Sequence, residues 1–139
     1  MFRELWKSIK KNEGYKAQVY NDHLGFPTIG VGFKISQLHL DEDVCDIIGM
    51  RKLNALQSQL IAEFKWYSEM PQIVRMVMVE CCYQMGVSGW KKFKKANEHL
   101  SKRNWVKASE EMLNSKWAKV QTPSRAKLMA NAVKECKIK

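Results

Sequence analysis

Residues 12–33 read NEGYKAQVYNDHLGFPTIGVGF, and this stretch decides how the rest of the 139-residue chain is interpreted. A carboxylate stands immediately before a glycine, and a second carboxylate lies in a cluster of turn residues. Eight residues separate Glu13 from Asp22, and five separate Asp22 from Thr28. Because Asn, Asp, Gly and Pro lie between two β-prone runs, the pattern predicts a strand, a turn and a second strand.

The second strand is predicted to run through Phe33, with successive residues on opposite faces. Thr28, Gly30 and Gly32 then share a face with one hydroxyl and two positions without side chains. A bulky ligand can approach the backbone of such a face closely. Taken alone, the two glycines fit a bulged or tightly packed strand equally well.

The residues before this stretch predict an amphipathic helix over 2–12, in which apolar residues recur at helical spacing. Gly14 favours a helix end, because glycine readily adopts positive φ. We therefore expect Glu13 at the negative end of the helix dipole, where a charged carboxylate is disfavoured. The protonated form is the one that a general acid needs.

The rest of the chain predicts helices. We expect a short helix from Asp41 to Ile48 that ends at Gly49, and a longer one over about 51–66. From Pro71 onward the pattern is helical, with a buried helix over 73–85. Thr122 and Pro123 predict a helix start, with a capping hydroxyl and a proline at the first helical position.

These elements predict an α+β fold that is mostly helical. A small N-terminal β-hairpin lobe, at about 13–50, is joined by the long helix at 51–66 to a helical lobe. We assign residues 1–12 and 67–139 to the helical lobe. The length of 139 residues fits a single domain built from these parts.

The composition indicates an anionic partner, since 24 Lys and Arg against 14 Asp and Glu give a net charge of +10. Nucleic acid, an anionic membrane surface and an anionic cell-wall polymer all fit this charge. No apolar run is long enough to span a membrane, and the N-terminus lacks a signal-peptide pattern. We expect synthesis and folding in a cytoplasm.

The four cysteines are Cys45, Cys81, Cys82 and Cys136. Two of them are adjacent in an apolar helical run, which indicates reduced core residues and not a disulfide framework. Because the chain has no CxxC pair, we expect no zinc site. We also expect no other metal and no cofactor.

Glu13, Asp22 and Thr28 have the chemistry of a glycosidase site. Such a site needs a protonated acid above the leaving oxygen, and a second carboxylate that attacks the sugar or activates water. Thr28 can bind a water near Asp22. Any chain of this length has many acids, so the spacing alone is weak support. His23, beside Asp22, is better explained as an exposed turn residue than as a catalytic one.

Three ordered blocks resemble the T-even-type phage lysozymes, which are muramidase endolysins. The first block is Glu13-Gly14, Tyr20-Asn21-Asp22, Gly25 and Thr28-Ile29-Gly30-Val31-Gly32. The second is Tyr83-Gln84-Met85-Gly86 with Gly89 and Phe93, and the third is Trp117 with residues 121–127 (QTPSRAK). The resemblance covers most of the chain, but 34–66 matches weakly and is shorter than in that family.

This resemblance implies a lysozyme-like fold and an endo-acting hydrolase of peptidoglycan that inverts configuration. It implies cleavage of the β-1,4 bond between N-acetylmuramic acid and N-acetylglucosamine. Glu13 would be the general acid, and Asp22 would position and activate the attacking water with help from Thr28.

Other residues gain expected roles from the same resemblance. Arg125 matches an arginine that pairs with the catalytic glutamate across the cleft. Gln84 and Trp117 match a buried pair that shapes the cleft floor, although Trp117 also fits an ordinary core residue. Substrate contacts are expected from Gly30, Gly32, Lys34, Tyr83 and Gln84.

Three positions depart from the T-even pattern. Phe33 stands where a histidine makes a structural ion pair, so that pair must be absent here. Leu24 replaces an acidic residue near the sugar, and Lys34 replaces a leucine. We therefore expect different substrate contacts on this rim.

The resemblance leads us to expect a monomer that acts on bacterial peptidoglycan, with no nucleic-acid partner and no stable membrane insertion. It implies an endolysin made in the host cytoplasm that reaches periplasmic peptidoglycan after release across the inner membrane. One alternative is a basic, non-catalytic protein that binds cell wall or nucleic acid on the same scaffold. Another is a tail-associated lysozyme that opens the wall during infection.

Overall fold

Helix α1 and a small β-sheet form the first of two units into which the chain divides, Met1–Cys45 and Asp46–Lys139. The structure is a computed structural model that describes residues 2–137. Helix α1 spans Phe2–Glu13, and strands β1, β2 and β3 span Lys16–Asn21, Pro27–Gly30 and Phe33–Lys34. A single 3-10 turn, Ile35–Gln37, follows the sheet.

The three strands form one antiparallel sheet in the order β1-β2-β3. Tyr20 pairs with Thr28 across the first hairpin, and Ile29 pairs with Phe33 across the second. The prediction that one strand continues through Phe33 is wrong, because the chain reverses after Gly30. Gly30 and Gly32 both have φ of +69°, a conformation that side-chain-bearing residues adopt at a cost. Thr28 and Gly32 therefore do not share a strand face.

Helix α2 spans Glu42–Glu63 without interruption, so the predicted helix end at Gly49 is wrong. A glycine inside a helix costs only about 1 kcal/mol relative to alanine, which helical residues on both sides offset. The carbonyl of Asp41 accepts the first helical hydrogen bond, from Cys45 N at 3.0 Å. This places Asp41 at the N-cap position that the sequence predicts.

All regular secondary structure in the described residues of the second unit is helical. Helices α3, α4, α5 and α6 span Gln72–Trp90, Lys94–Ser101, Trp105–Leu113 and Pro123–Lys134. Gly86 interrupts the helical geometry of α3 with φ 75° and ψ 162°. Pro123 begins α6 as predicted, but the Thr122 hydroxyl does not cap the helix and instead lies 3.4 Å from Gln84 Oε1.

The core of the second unit consists of buried aromatic, aliphatic, methionine and alanine side chains. Trp90 and Met78 are completely buried in it, and Cys81 and Cys82 are free thiols among the same side chains. Burial raises the pKa of the Cys82 thiol to about 12, so this cysteine is an inert core residue at neutral pH.

The α+β prediction is confirmed, since a small antiparallel sheet is combined with six α-helices in the described part of the chain. The division after Cys45 groups α1 with the sheet. The predicted lobe bounds, with residues 1–12 in the helical lobe, stay a prediction. No helix within residues 2–137 is both long and apolar enough to cross a membrane.

Candidate active site

Glu13 is the last residue of α1, where the sequence places it. The helix closes with a 2.9 Å hydrogen bond from Gly14 N to Lys10 O, and Gly14 has φ of +76°. This is the glycine helix end predicted from the sequence. The exposed Glu13 side chain lies against Gly32, because a Cβ atom added at Gly32 would be only 2.7 Å from Glu13 Oε2.

Asp22 is held in the turn between β1 and β2 by main-chain hydrogen bonds. Its Oδ1 atom accepts from Leu24 N at 2.9 Å and from Phe26 N at 2.8 Å. Such a side-chain-to-backbone turn is the reason that aspartate is favoured at this kind of position. Both described bonds use Oδ1, which leaves Oδ2 to bind a water or substrate.

These bonds also set the charge of Asp22. The N–H of Phe26 lowers the pKa of the carboxyl most, and desolvation partly opposes it. Leu24 N–H, His23 and Lys34 lower the pKa further. Asp22 is therefore a stable anion at neutral pH, which is the form that a general base requires.

Thr28 lies in β2 and is only 2% exposed. Its Oγ1 donates to the carbonyl oxygen of Phe26 at 2.9 Å. A hydroxyl has one hydrogen and two lone pairs. Because the hydrogen is used on Phe26, the remaining capacity of Thr28 is as an acceptor.

Phe26 connects Asp22 and Thr28 through its main chain. Its N–H donates to Asp22 Oδ1, and its carbonyl oxygen accepts from both Asp22 N and Thr28 Oγ1, each at 2.9 Å. Sequence reasoning missed this residue. The Asp-x-x-Gly turn composition of residues 22–25 is the signal that would have found it.

The arrangement can orient a water for attack. Thr28 can accept one water hydrogen, and the anionic Asp22 can accept the other. A leaving oxygen needs a separate acid, and the role of Glu13 as that acid stays a prediction.

The other predicted residues of the first unit have distinct surroundings. Lys34 lies in β3 with its Nζ 4.9 Å from the Phe26 ring centroid. Leu24 and His23 are exposed in the turn, so His23 has the position of the turn residue expected for it. Substrate contacts of Gly30, Gly32 and Lys34 stay predictions.

In the second unit, Gln84 and Trp117 form a hydrogen-bonded pair. Trp117 Nε1 donates to Gln84 Oε1 at 3.1 Å. Trp117 is buried and packs edge-on against Phe93, with ring centroids 5.9 Å apart. Gln84 and Trp117 therefore form the pair that the resemblance implies. Trp117 also packs in the core, which was the alternative explanation for this residue.

A groove of about 350 Å³ brings together residues from the second and third sequence blocks. Tyr83, Gln84, Trp117 and Arg125 all line it. Within the second unit, Arg125 Nη2 lies 3.4 Å from Glu80 Oε1. The roles of these residues in shaping a cleft and binding substrate, and the pairing of Arg125 with Glu13, stay predictions.

The described residues 2–137 contain no group of three His, Cys, Asp or Glu side chains that would hold a metal ion. The chemistry described above uses only the carboxylates, the hydroxyl and the main chain of the first unit.

Residues 10–133 match the family model described as phage lysozyme. The match covers most of the 139 residues, so the chain belongs to the phage lysozyme family. The resemblance read from the three sequence blocks is thereby confirmed.

Two curated relatives from Dictyostelium discoideum are each 25% identical to this chain. "Probable T4-type lysozyme 1" aligns over 162 residues, which cover 96% of this chain and 95% of the relative. "Probable T4-type lysozyme 2" aligns over 155 residues and covers 91% of each. The family and these relatives support a lysozyme-like peptidoglycan hydrolase, and the family implies peptidoglycan as the substrate.

Proposed function

We propose that this protein is an N-acetylmuramidase that cleaves the β-1,4 bond between N-acetylmuramic acid and N-acetylglucosamine with inversion. The observation that carries the proposal is the set of hydrogen bonds at the first hairpin. There Asp22 is held as an anion by two main-chain N–H groups, and the Thr28 hydroxyl is bonded to the same residue, Phe26.

Each group has one task in the proposed reaction. Glu13 donates its proton to the glycosidic oxygen as the bond to the anomeric carbon breaks. A water held between Asp22 and Thr28 attacks that carbon from the opposite face. Asp22 takes the water's proton, so the new hydroxyl carries the inverted configuration and one bond is hydrolysed per water consumed.

The charge of the protein supports the choice of polymer. Peptidoglycan and its attached polymers are anionic, and a protein of net charge +10 meets an anionic surface faster than a neutral one does. We propose that it acts as a monomeric endolysin, made in the host cytoplasm and active on periplasmic peptidoglycan after release across the inner membrane. This cellular role rests on the resemblance to the endolysins.

The direct test is the lysis of purified bacterial cell walls by the Glu13→Gln variant. We expect a loss of at least about 1,000-fold in the rate of turbidity decrease, because glutamine cannot donate the proton. Glu4→Gln is the matched control, since Glu4 is exposed on the same helix and forms an ion pair with Lys7. It should lyse walls at the wild-type rate.

If Glu13→Gln retains wild-type lysis, Glu13 is not the acid. If the wild-type protein does not cleave walls but shifts duplex DNA with a steep salt dependence, the binding-protein alternative replaces the muramidase.

A further inference from the structure

Two contacts join helix α1 to the turn between β2 and β3 and to Phe33, the first residue of β3. The rings of Trp6 and Phe33 stack with centroids 6.5 Å apart and planes 12° apart. The Glu13 carboxylate lies against Gly32, where an added Cβ would meet Oε2 at 2.7 Å and Cδ at 3.2 Å. We call these two contacts together the helix–turn contact.

The spacing of the helix residues explains why both contacts form together. Trp6 and Glu13 are seven residues apart, which is close to two helical turns, so both side chains leave α1 on the same side. Gly32 and Phe33 are neighbours in the chain. One short turn of the sheet therefore contacts α1 at two positions, and the second of these is Glu13.

Both glycines of the turn make room for side chains of the protein itself. A Cβ at Gly30 would lie 2.9 Å from Cδ2 of Phe33, and a Cβ at Gly32 would meet Glu13. Gly30 thus admits the ring that stacks on Trp6, and Gly32 admits the carboxylate.

We propose that Gly32, Trp6 and Phe33 are positioning residues that fix the Glu13 carboxylate for its role as general acid. The expected effect on the reaction rate rests on the proposed function. The geometry of the helix–turn contact is independent of that function. Gly30 and Gly32 thereby have a role in addition to the substrate contacts expected of them.

The clash at Gly32 falls on the end of a flexible side chain, so an added methyl group displaces the Glu13 carboxylate. Alanine at φ of +69° also strains the backbone, which a control at a glycine of similar φ must match. To reach ordinary contact at 3.4 Å, the carboxylate must move by about 0.7 Å. Displacements of about 1 Å at a reacting group cost about 100-fold in rate.

The experiment measures kcat and KM on a soluble peptidoglycan glycan fragment for full-length variants. Gly32→Ala should lower kcat about 100-fold while KM stays within about threefold, since the acid acts in the transition state. Gly14→Ala is the control for backbone strain. Gly14 has a similar φ, +76°, and an added Cβ meets nothing within 4 Å, so kcat should stay within about threefold of wild type.

The aromatic stack is tested with Trp6→Leu, Phe33→Leu and the double variant. Each single change should lower kcat about tenfold, and the double variant should lose no more than the worse single change, because both remove one contact. Trp6→Phe keeps an aromatic ring at this position and should retain most of the wild-type kcat. Phe2→Leu is the control, since Phe2 is 73% exposed on the same helix, and it should have wild-type kcat.

Crystal structures of the wild type and the two alanine variants provide a readout that needs no activity. Gly32→Ala should move the Glu13 carboxylate by at least about 0.7 Å, and Gly14→Ala should leave it in place. Unchanged kcat in Gly32→Ala with an active wild type overturns the inference, as does an equal loss in Gly14→Ala. An inactive wild type in which Gly32→Ala still moves Glu13 overturns the proposed function and leaves the positioning intact.

Discussion

The two units of the chain are stabilised in different ways. In the described residues of the first unit, Met1–Cys45, only Thr28 and Val31 are buried. The second unit, Asp46–Lys139, contains a continuous core that includes fully buried Trp90, Met78 and Leu60. The catalytic residues proposed here all belong to the unit with almost no buried side chains.

This difference shows how a site can be precise without a core around it. Asp22 is fixed by main-chain donors and Glu13 by a glycine, so these side chains depend on backbone geometry. The second unit gains its stability from apolar burial. Substitutions in the first unit should therefore change activity more than stability, and core substitutions in the second unit should do the reverse.

Beside Glu13→Gln, the largest expected effect is that of Asp22→Ala. Removing the proposed base should lower kcat about 1,000-fold, while the far-UV circular dichroism spectrum stays that of the wild type. The measurement is reducing-end release from purified peptidoglycan. A variant that retains a tenth or more of the wild-type rate would show that the attacking water does not depend on Asp22.

The converse effect is expected from Met78→Ala in the second unit. Met78 is fully buried, so its truncation should lower the free energy of unfolding by about 2–5 kcal/mol. The exposed Met76 on the same helix is the matched control, and Met76→Ala should change stability by less than about 0.5 kcal/mol. Urea unfolding gives both values.

The activity of folded Met78→Ala tests the same comparison between the two units. Under conditions in which Met78→Ala remains folded, it should cleave peptidoglycan at the wild-type kcat. A loss of kcat as large as that of Asp22→Ala would mean that the two units are not separable in this way.

A smaller effect is expected at Thr28, the one proposed catalytic residue that is buried. Thr28→Val keeps the side-chain shape but removes the hydroxyl that would accept a water hydrogen, and kcat should fall about 30- to 100-fold. Thr28→Ser keeps the hydroxyl and should stay within about fivefold of wild type. Equal rates in the two variants would remove Thr28 from the mechanism.

The smallest effect concerns the pH dependence of stability. The pKa of Asp22 is lowered in the folded protein, so its ionised form stabilises the fold above the unfolded-state pKa of about 3.9. That contribution is lost as pH falls through the lower, folded-state pKa. The difference in Tm between wild type and Asp22→Asn should therefore be present near neutral pH and disappear in acid. A difference that grows in acid would contradict the lowered pKa.

The sequence predicted the helix end at Glu13, the turn at Asp22 and the α+β class, because turn residues and apolar spacing act locally. It did not predict the chain reversal after Gly30, since glycine permits both signs of φ and its identity does not choose between them. It also predicted a helix end at Gly49, where the residues on both sides continue α2. A glycine therefore predicted the local backbone correctly at some positions, such as the helix end at Gly14, but not at Gly30 or Gly49.

The candidate site could be predicted in part. Residue type and spacing made Glu13, Asp22 and Thr28 candidates, and the resemblance supplied their expected roles, which stay predictions. The resemblance also implied the pairing of Gln84 with Trp117. The roles of Phe26 and of the Trp6–Phe33 stack depend on main-chain direction and on contacts between separate elements. The only sign of the role of Phe26 in the sequence is the turn composition of residues 22–25, and the Trp6–Phe33 stack leaves no pattern in residue types along the chain.

The most direct test of the central claim is the anomeric configuration of the first product, followed by NMR during cleavage of purified peptidoglycan. A water positioned by Asp22 opposite the acid Glu13 predicts inversion of the β linkage, so the new reducing ends should first appear as the α anomer. They should be absent with Glu13→Gln. Initial release of the β anomer, or no new reducing ends from the wild-type protein, would contradict the account.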